Sequence, residues 1–270
     1  MNLNNLAALA IFSLTVLFTG AINVSAQSIE TGFLNRSVVL DGDEYRYQVY
    51  VPRDFKKSSK WPIILALHGG GDYGNDGLRQ TAYAIATAIR LHSERFPSLV
   101  IFPQAHADGT PGWQAAGGRA ALAAVDKAIN EFSGDPTRVY LTGWSAGGNG
   151  SWFLASRYPD RFAALVVVCG WISEFRGRTS HILYPALAPV SEMDPYAAVA
   201  KRVAHLPIWI FHGDADPTAP VEESRHMYAA LKAIGANVQY TEFPGVGHSA
   251  WTPAFDRADL FEWLFKQKRP

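Results

Sequence analysis

A single stretch limits the possible folds more than any other. Arg138-Val139-Tyr140-Leu141-Thr142 is a β-rich apolar run. It feeds directly into Gly143-Trp144-Ser145-Ala146-Gly147-Gly148, after which Asn149–Tyr158 has helical composition. A strand that passes through G-x-S-x-G into a helix must turn so sharply that its central residue is strained. Side chains at the flanking positions would strike neighbouring backbone, which is why glycines are needed there. Gly143 and Gly147 meet that demand. The expected result is a serine hydroxyl above the C-terminal edge of a sheet, where the first amides of the next helix also point. An ordinary glycine-rich strand-to-helix turn is the alternative.

The rest of the chain supplies the sheet. Phe33–Leu40 and Tyr45–Val51 read as two strands separated by Asp41-Gly42-Asp43, a hairpin signal. Beyond the polar stretch Arg53–Lys60, short apolar runs alternate with helical ones. Ile63–Leu67, Leu99–Phe102, Arg138–Thr142, Ala164–Val168 and Ile208–Phe211 are nearly continuous in apolar character, as parallel strands covered on both faces should be. Leu78–His92, Arg119–Phe132, Asn149–Tyr158 and Val221–Ile234 have helical composition, and a strand at Val238–Phe243 and a helix at Asp256–Lys266 close the series. Alternating strands and helices predict an α/β fold: a mostly parallel central sheet with an N-terminal antiparallel hairpin and helices on both faces. No linker, repeat or low-complexity tract divides it. Ile172–Val190 is less regular and reads as a loop or small lid.

A serine hydroxyl needs a positioned base to act as a nucleophile. In this arrangement the acid and then the histidine follow the serine along the chain. Asp216 lies in His212-Gly213-Asp214-Ala215-Asp216-Pro217, just after the strand at Ile208–Phe211, and His248 lies in Gly245-Val246-Gly247-His248, just after the strand at Val238–Phe243. Both therefore belong to the rim that carries Ser145. Asp214 is the alternative acid. Asp194, in Met193-Asp194-Pro195, reads as a helix N-cap, and His68 and His212 read as supports for turns. For Cys169, which follows an apolar strand, an inert core thiol is the expectation.

Acyl transfer builds negative charge on a carbonyl oxygen, and preorganised amides aimed at that oxygen are usually the largest electrostatic contribution. Ala146 should supply one amide, directly after the serine. Ile63–Leu67 runs into His68-Gly69-Gly70-Gly71-Asp72, and Gly70 is the expected second donor, with Gly69 and Gly71 as its alternatives. A phosphate-cradling loop does not fit, because neither glycine-lysine nor dinucleotide spacing is present.

These stretches resemble the α/β-hydrolase superfamily. The likeness is to secreted serine esterases that include feruloyl and acetyl xylan esterases, polyhydroxybutyrate depolymerase-like proteins and the phospholipase/carboxylesterase family. It rests on LALHGGGDYG at 65–74, GWSAGGNGSWFLASRYPDRFAAL at 143–165, PIWIFHGDADPTAPVEESRHMYAAL at 207–231 and FPGVGHSAW at 243–251. The resemblance implies a Ser145–His248–Asp216 triad, oxyanion amides from Gly70 and Ala146, and hydrolysis of a carboxylic ester on a small or polymeric substrate. No metal and no organic cofactor is implied. Dienelactone hydrolases share the fold but use a cysteine where this chain has Ser145.

Composition narrows the partners. Lys+Arg and Asp+Glu are 24 each, so the formal charge is zero and a nucleic-acid partner is disfavoured. Hydrophobic residues at 48% exclude a disordered chain. A single cysteine excludes an intrachain disulfide and multi-cysteine metal sites. Of the 8 tryptophans, Trp113, Trp144, Trp171 and Trp251 fall near strand ends and are candidates for an aromatic substrate rim, with Gln104 as a polar neighbour. Trp144 and Trp171 packed beneath the site is the competing reading.

No charged side chain precedes Glu30, and the apolar run Leu6–Phe18 leads to Val24-Ser25-Ala26. This reads as a secretory signal at 1–26, followed by one catalytic domain at 27–270 with a secreted or periplasmic location and no stable membrane association. An uncleaved anchor is the alternative. Two other functional readings compete: a serine peptidase of the prolyl-oligopeptidase type without a propeller, since too few residues precede the first parallel strand for four-stranded blades, and a binding protein on a hydrolase scaffold.

Overall fold

The computed structural model describes residues 30–106, 112–176, 182–189 and 191–270. The stretch 1–26 expected to be a secretory signal, part of the loop before Trp113, and the middle of the Ile172–Val190 stretch lie outside them.

The chain opens with strands β1 (Gly32–Leu40) and β2 (Asp43–Val51), then β3 (Trp61–Leu67), helix α1 (Ile85–Leu91) and β4 (Leu99–Pro103). Helix α2 (Ala116–Glu131), β5 (Gly134–Trp144), α3 (Ala146–Arg157) and β6 (Ala164–Val168) follow. A short antiparallel pair, β7 (Phe175–Arg176) and β8 (Ile182–Tyr184), leads to α4 (Pro195–Val203), β9 (Ile208–Gly213), α5 (Val221–Ala233), β10 (Val238–Phe243), α6 (Trp251–Phe255) and α7 (Ala258–Phe265).

Eight strands form one sheet in the order β1-β2-β4-β3-β5-β6-β9-β10. Only β2 runs against its neighbours; from β4 onward every pairing is parallel. Asp41 and Gly42 make the first hairpin, both with positive φ (55° and 92°), the geometry that matches a two-residue turn to strand twist. In β3, β6 and β9 every residue is buried, as expected of parallel strands with helices on both sides. Alternate residues face opposite layers. Ile63, Leu65 and Leu67 pack with α2, α3, α4 and α5, whereas Ile64 and Ala66 pack with α1, α6 and α7.

One helix is shorter than its sequence suggests. Leu78–His92 is broken into a 3-10 turn at Arg79–Thr81 and α1, because Ala84 takes φ 56° between them. Thr81 spends its hydroxyl on the Leu78 carbonyl and Gln48, a local alternative to continuing the helix. The helix expected at Asp256–Lys266 forms as α7, and a separate short helix, α6, precedes it across Arg257, which is extended (ψ 119°). Asp194 does cap α4, accepting from the amides of Tyr196 and Ala197.

Strand register brings the site together. Leu67 pairs with Gly143, Trp144 with Val168, Val168 with Phe211, and Gly213 with Phe243. The C-terminal ends of β3, β5, β6, β9 and β10 therefore share one rim. Among the described residues, no helix is long and apolar enough to cross a membrane.

Candidate active site

Ser145 stands alone between β5 and α3 with φ 55° and ψ −120°. A non-glycine residue holds such a conformation only where its surroundings enforce it. Here the Ser145 amide donates to the Val168 carbonyl (3.0 Å), and its carbonyl accepts from Asn149 N–H (3.0 Å) as α3 begins. The flanking glycines allow the turn. A Cβ on Gly143 would collide with the Gly147 carbonyl, and one on Gly147 with the Leu67 carbonyl.

The Ser145 hydroxyl lies 2.9 Å from His248 Nε2, and His248 Nδ1 lies 2.7 Å from Asp216 Oδ2. The Asp216 side chain is fully buried, and its other oxygen accepts from the amides of Thr218 and Ala219 at 2.8 and 3.0 Å. Burial alone would raise its carboxyl. Hydrogen bonds from His212, His248 and the two amides outweigh burial and hold it well below the usual carboxylate range. The ionised acid in turn fixes the imidazole, with Nδ1–H donating to Asp216 and Nε2 left to face the serine. Asp214 is exposed and accepts from Gly245 N–H (2.6 Å), so it braces the loop that carries His248 rather than contacting the imidazole.

His212 is a partner that sequence reasoning read only as a turn support. Its Nε2 sits 3.1 Å from the Ala219 carbonyl and 3.3 Å from Asp216 Oδ2, while Nδ1 is 2.7 Å from Ser224 Oγ. Both neighbours of Nε2 are acceptors, so Nε2 carries hydrogen and the Ser224 hydroxyl donates to Nδ1. His68 is spent in the same manner. It donates from Nδ1 to the Gly69 carbonyl and accepts Ala105 N–H at Nε2, and burial pushes it down to about 4. It is therefore a neutral brace for the glycine loop.

Gly70 and Ala146 are adjacent. A Cβ built on Gly70 would lie 3.9 Å from Ala146 Cβ and 3.7 Å from the Tyr184 hydroxyl. Tyr184 bonds Tyr73 through their hydroxyls (2.8 Å), so β8 reaches over this loop. Glu223 anchors the root of the same excursion, accepting from the amides of Ile172 and Ser173.

The aromatic rim requires correction. Trp113 is fully buried, its indole N–H donates to the His68 carbonyl, and it fills the space where Gly150 lacks a side chain. Trp144 is also buried, edge-on to Tyr83 and Phe255. Gln104 is buried and fully engaged: it accepts from Gly77 N–H and donates to the Asp72 carbonyl and Asp76. These three side chains build the loops of the rim rather than its surface. Trp171, 3% exposed, packs with Phe175, Tyr184 and Ala146. Trp251 is partly exposed and stands edge-on to His248, with ring centres 5.4 Å apart.

Cys169 is buried behind the site, its thiol 3.5 Å from the His248 carbonyl. Donor atoms of Cys169, Asp216 and His248 lie within 4.8 Å of one another, but Asp216 and His248 already bond each other. Burial pushes the thiol up and keeps it protonated. Iodoacetamide at pH 8 will consequently leave Cys169 unmodified in the native protein and label it after unfolding. Peptide mass mapping checks this, and rapid native labelling would show an accessible thiolate.

Comparison with known proteins places this geometry in a family. The sequence model of the prolyl oligopeptidase family matches residues 109–267. An uncharacterized secreted protein of Arthroderma benhamiae is 28% identical over 229 residues, covering 78% of this chain and 23% of the relative. Acetylxylan esterase A of Emericella nidulans is 32% identical over 135 residues, 46% of this chain and 41% of the relative. Among solved structures, a thermostable esterase superposes with a TM-score of 0.72 at 27% identity, covering 88% of this chain and 63% of the other. The chain spans less than two thirds of the length of each. The family model covers more than half of the chain, and the thermostable esterase shares its fold over most of its length, so this chain has the α/β-hydrolase fold and belongs to the prolyl oligopeptidase family.

Proposed function

We propose that the protein is a serine hydrolase of carboxylic esters that works through an acyl-enzyme on Ser145. The observation that carries this is the unbroken hydrogen-bonded run from Asp216 through His248 to Ser145, on a rim where Gly70 and Ala146 adjoin. Ser145 Oγ attacks the ester carbonyl carbon while His248 Nε2 takes its proton. The carbonyl π electrons move onto oxygen, which faces the amides of Ala146 and Gly70. The tetrahedral adduct collapses, the C–O bond to the alcohol breaks, and His248 returns the proton to the leaving oxygen. Water repeats the sequence on the acyl-serine and restores the hydroxyl. Asp216 stays ionised throughout and stabilises the imidazolium.

The domain that does this is residues 27–270, exported after loss of 1–26 to a secreted or periplasmic location. A fungal relative described as secreted and the uncharged apolar start of the chain support that reading. Plant-wall acyl esters, acetyl or feruloyl, are the substrate class. The acetylxylan esterase relative supports the first, and Trp251, partly exposed and edge-on to His248, is the aromatic side chain that supports a feruloyl group. The family description also favours a peptidase reading. A panel of p-nitrophenyl acetate, methyl ferulate, hydroxybutyrate oligomers and an Xaa-Pro amide separates these. Turnover of acetate and ferulate esters with the amide inert is expected; turnover of the amide alone would establish the peptidase.

A further inference from the structure

The glycine loop ends on a buried acid with one well-defined side-chain partner. Asp72 closes the 3-10 turn Gly70–Asp72 and is 5% exposed. Its Oδ2 accepts a short hydrogen bond from the Tyr83 hydroxyl (2.5 Å). Its amide donates to the Gly69 carbonyl and its carbonyl accepts from Gln104, so side chain and backbone of this residue both fix the loop. A shift of the Asp72 carboxylate would move Gly70 with it.

Tyr83 also reaches the other two arms of the site. Its ring lies 5.9 Å from that of Trp144, the residue before Ser145, and 5.9 Å from that of Trp251, which stands edge-on to His248. One side chain thus touches the loop that bears Gly70, the turn that bears Ser145 and the segment that follows His248. The backbone beside it is strained to put it there. Ala84 is held at φ 56° and ψ −131°, and the turn before it is tied down by Arg90 on the Thr81 carbonyl and by Thr81 on Gln48.

We propose that Tyr83 is a positioning residue for ester hydrolysis: through Asp72 its hydroxyl sets where the Gly70 amide points, and its ring keeps Trp144 and Trp251 in register with Ser145 and His248. This rests on the reading of Ser145 as the nucleophile. The geometric demand is strict, because an oxyanion donor must sit about 2.7–3.1 Å from the oxygen of the tetrahedral state, not of the ground-state carbonyl. Displacement of a reacting geometry by about 1 Å can cost about a hundredfold in rate. An arrangement that matters only in the transition state lowers kcat and leaves KM in place.

Tyr83→Phe removes the hydroxyl and keeps the ring. In the full chain we expect kcat on p-nitrophenyl acetate to fall about ten- to a hundredfold, with KM within about twofold and an unchanged thermal unfolding midpoint. On the corresponding thiono ester, whose sulfur fits amide donors poorly, the loss is expected to be at most about threefold. Asp72→Asn, which still offers an oxygen to Tyr83, should retain most activity. Asp72→Ala should match Tyr83→Phe, and the double variant should be no slower than either single one. Three results overturn the proposal: kcat of Tyr83→Phe within about twofold of the parent, equal losses on the oxygen and thiono esters, or additive losses in the double variant. If Tyr83→Phe does not fold, Asp72→Asn against Asp72→Ala decides on the same two esters, and equal kcat values overturn the proposal. A parent protein that cleaves no ester at all defeats the reading of Ser145 instead, so the two failures are distinct.

Discussion

Ser145→Ala will lower kcat for ester hydrolysis by at least about 10⁴-fold while leaving the unfolding midpoint where it is. The size of the effect follows from the chemistry. Without Oγ no acyl-serine forms, and what survives is the modest acceleration that oriented amides give to direct attack by water. The stability expectation follows from the structure. The strained turn at Ser145 is held by backbone hydrogen bonds to Val168 and Asn149 and by glycines on either side, none of which uses the hydroxyl. Alanine has the same backbone requirements at φ 55°. Asp216→Asn should approach the same loss in rate, because an amide in place of the carboxylate no longer fixes Nδ1–H on His248 and presents the wrong tautomer to the serine. Stopped assays on p-nitrophenyl acetate together with thermal unfolding check both. Residual turnover above about 1% in Ser145→Ala would place the nucleophile elsewhere.

Gly147→Ala should have the largest effect on folding. Its Cβ would run into the carbonyl oxygens of Leu67 and His68, both backbone atoms at the end of a fully buried central strand. Backbone there cannot yield without opening the sheet between β3 and β5, since Leu67 is paired with Gly143. Overpacking in a core costs about 1–3 kcal/mol and occasionally more. With two carbonyls in the way, at least about 3 kcal/mol is expected, a large share of the ~5–15 kcal/mol that holds a domain together. Gly71→Ala is the matched control. Outside its own turn and chain neighbours, nothing lies within 4 Å of the point a Cβ on Gly71 would occupy, and its backbone is not in the left-handed region. Its stability should therefore stay within about 0.5 kcal/mol of the parent. Urea unfolding followed by tryptophan fluorescence measures both. Equal midpoints for the two variants would mean that the strand–serine–helix turn is far more compliant than its packing implies.

Much of this arrangement was legible in the amino-acid sequence, for reasons that can be named. The order serine, acid, histidine, each just past an apolar run, is enough to put three side chains on one rim, because parallel strands in register end together. Asp216 and Asp214 were separable only by their place in the loop, and the structure puts Asp216 against His248 while Asp214 turns to Gly245. Distance along the chain from a strand end says nothing about which way a side chain points. That is why Trp113, Trp144 and Gln104 looked like rim residues. Trp113 turns inward because Gly150 leaves room for its ring, and Gln104 turns inward because the backbone of Asp72–Gly77 needs its amide. The break at Ala84 was invisible for a related reason. Tyr83-Ala84-Ile85 has helical composition, and only the distant partners of Tyr83, Asp72 and the rings of Trp144 and Trp251, show why the chain leaves the helix there. The His-Gly-Asp-Ala-Asp spacing did carry a usable signal for His212, since a histidine at a strand end four residues before the acid can fold back onto it.

The central claim is that Ser145 is a nucleophile activated by His248, and covalent labelling tests it most directly. A fluorophosphonate transfers its phosphonyl group to an activated serine and releases fluoride, so intact mass followed by peptide mapping reports both stoichiometry and position. The account predicts one adduct per chain, on Ser145, absent in Ser145→Ala and formed at least about a hundredfold more slowly in His248→Ala. Contradiction would be an adduct on another residue, or no adduct in a preparation that turns over esters.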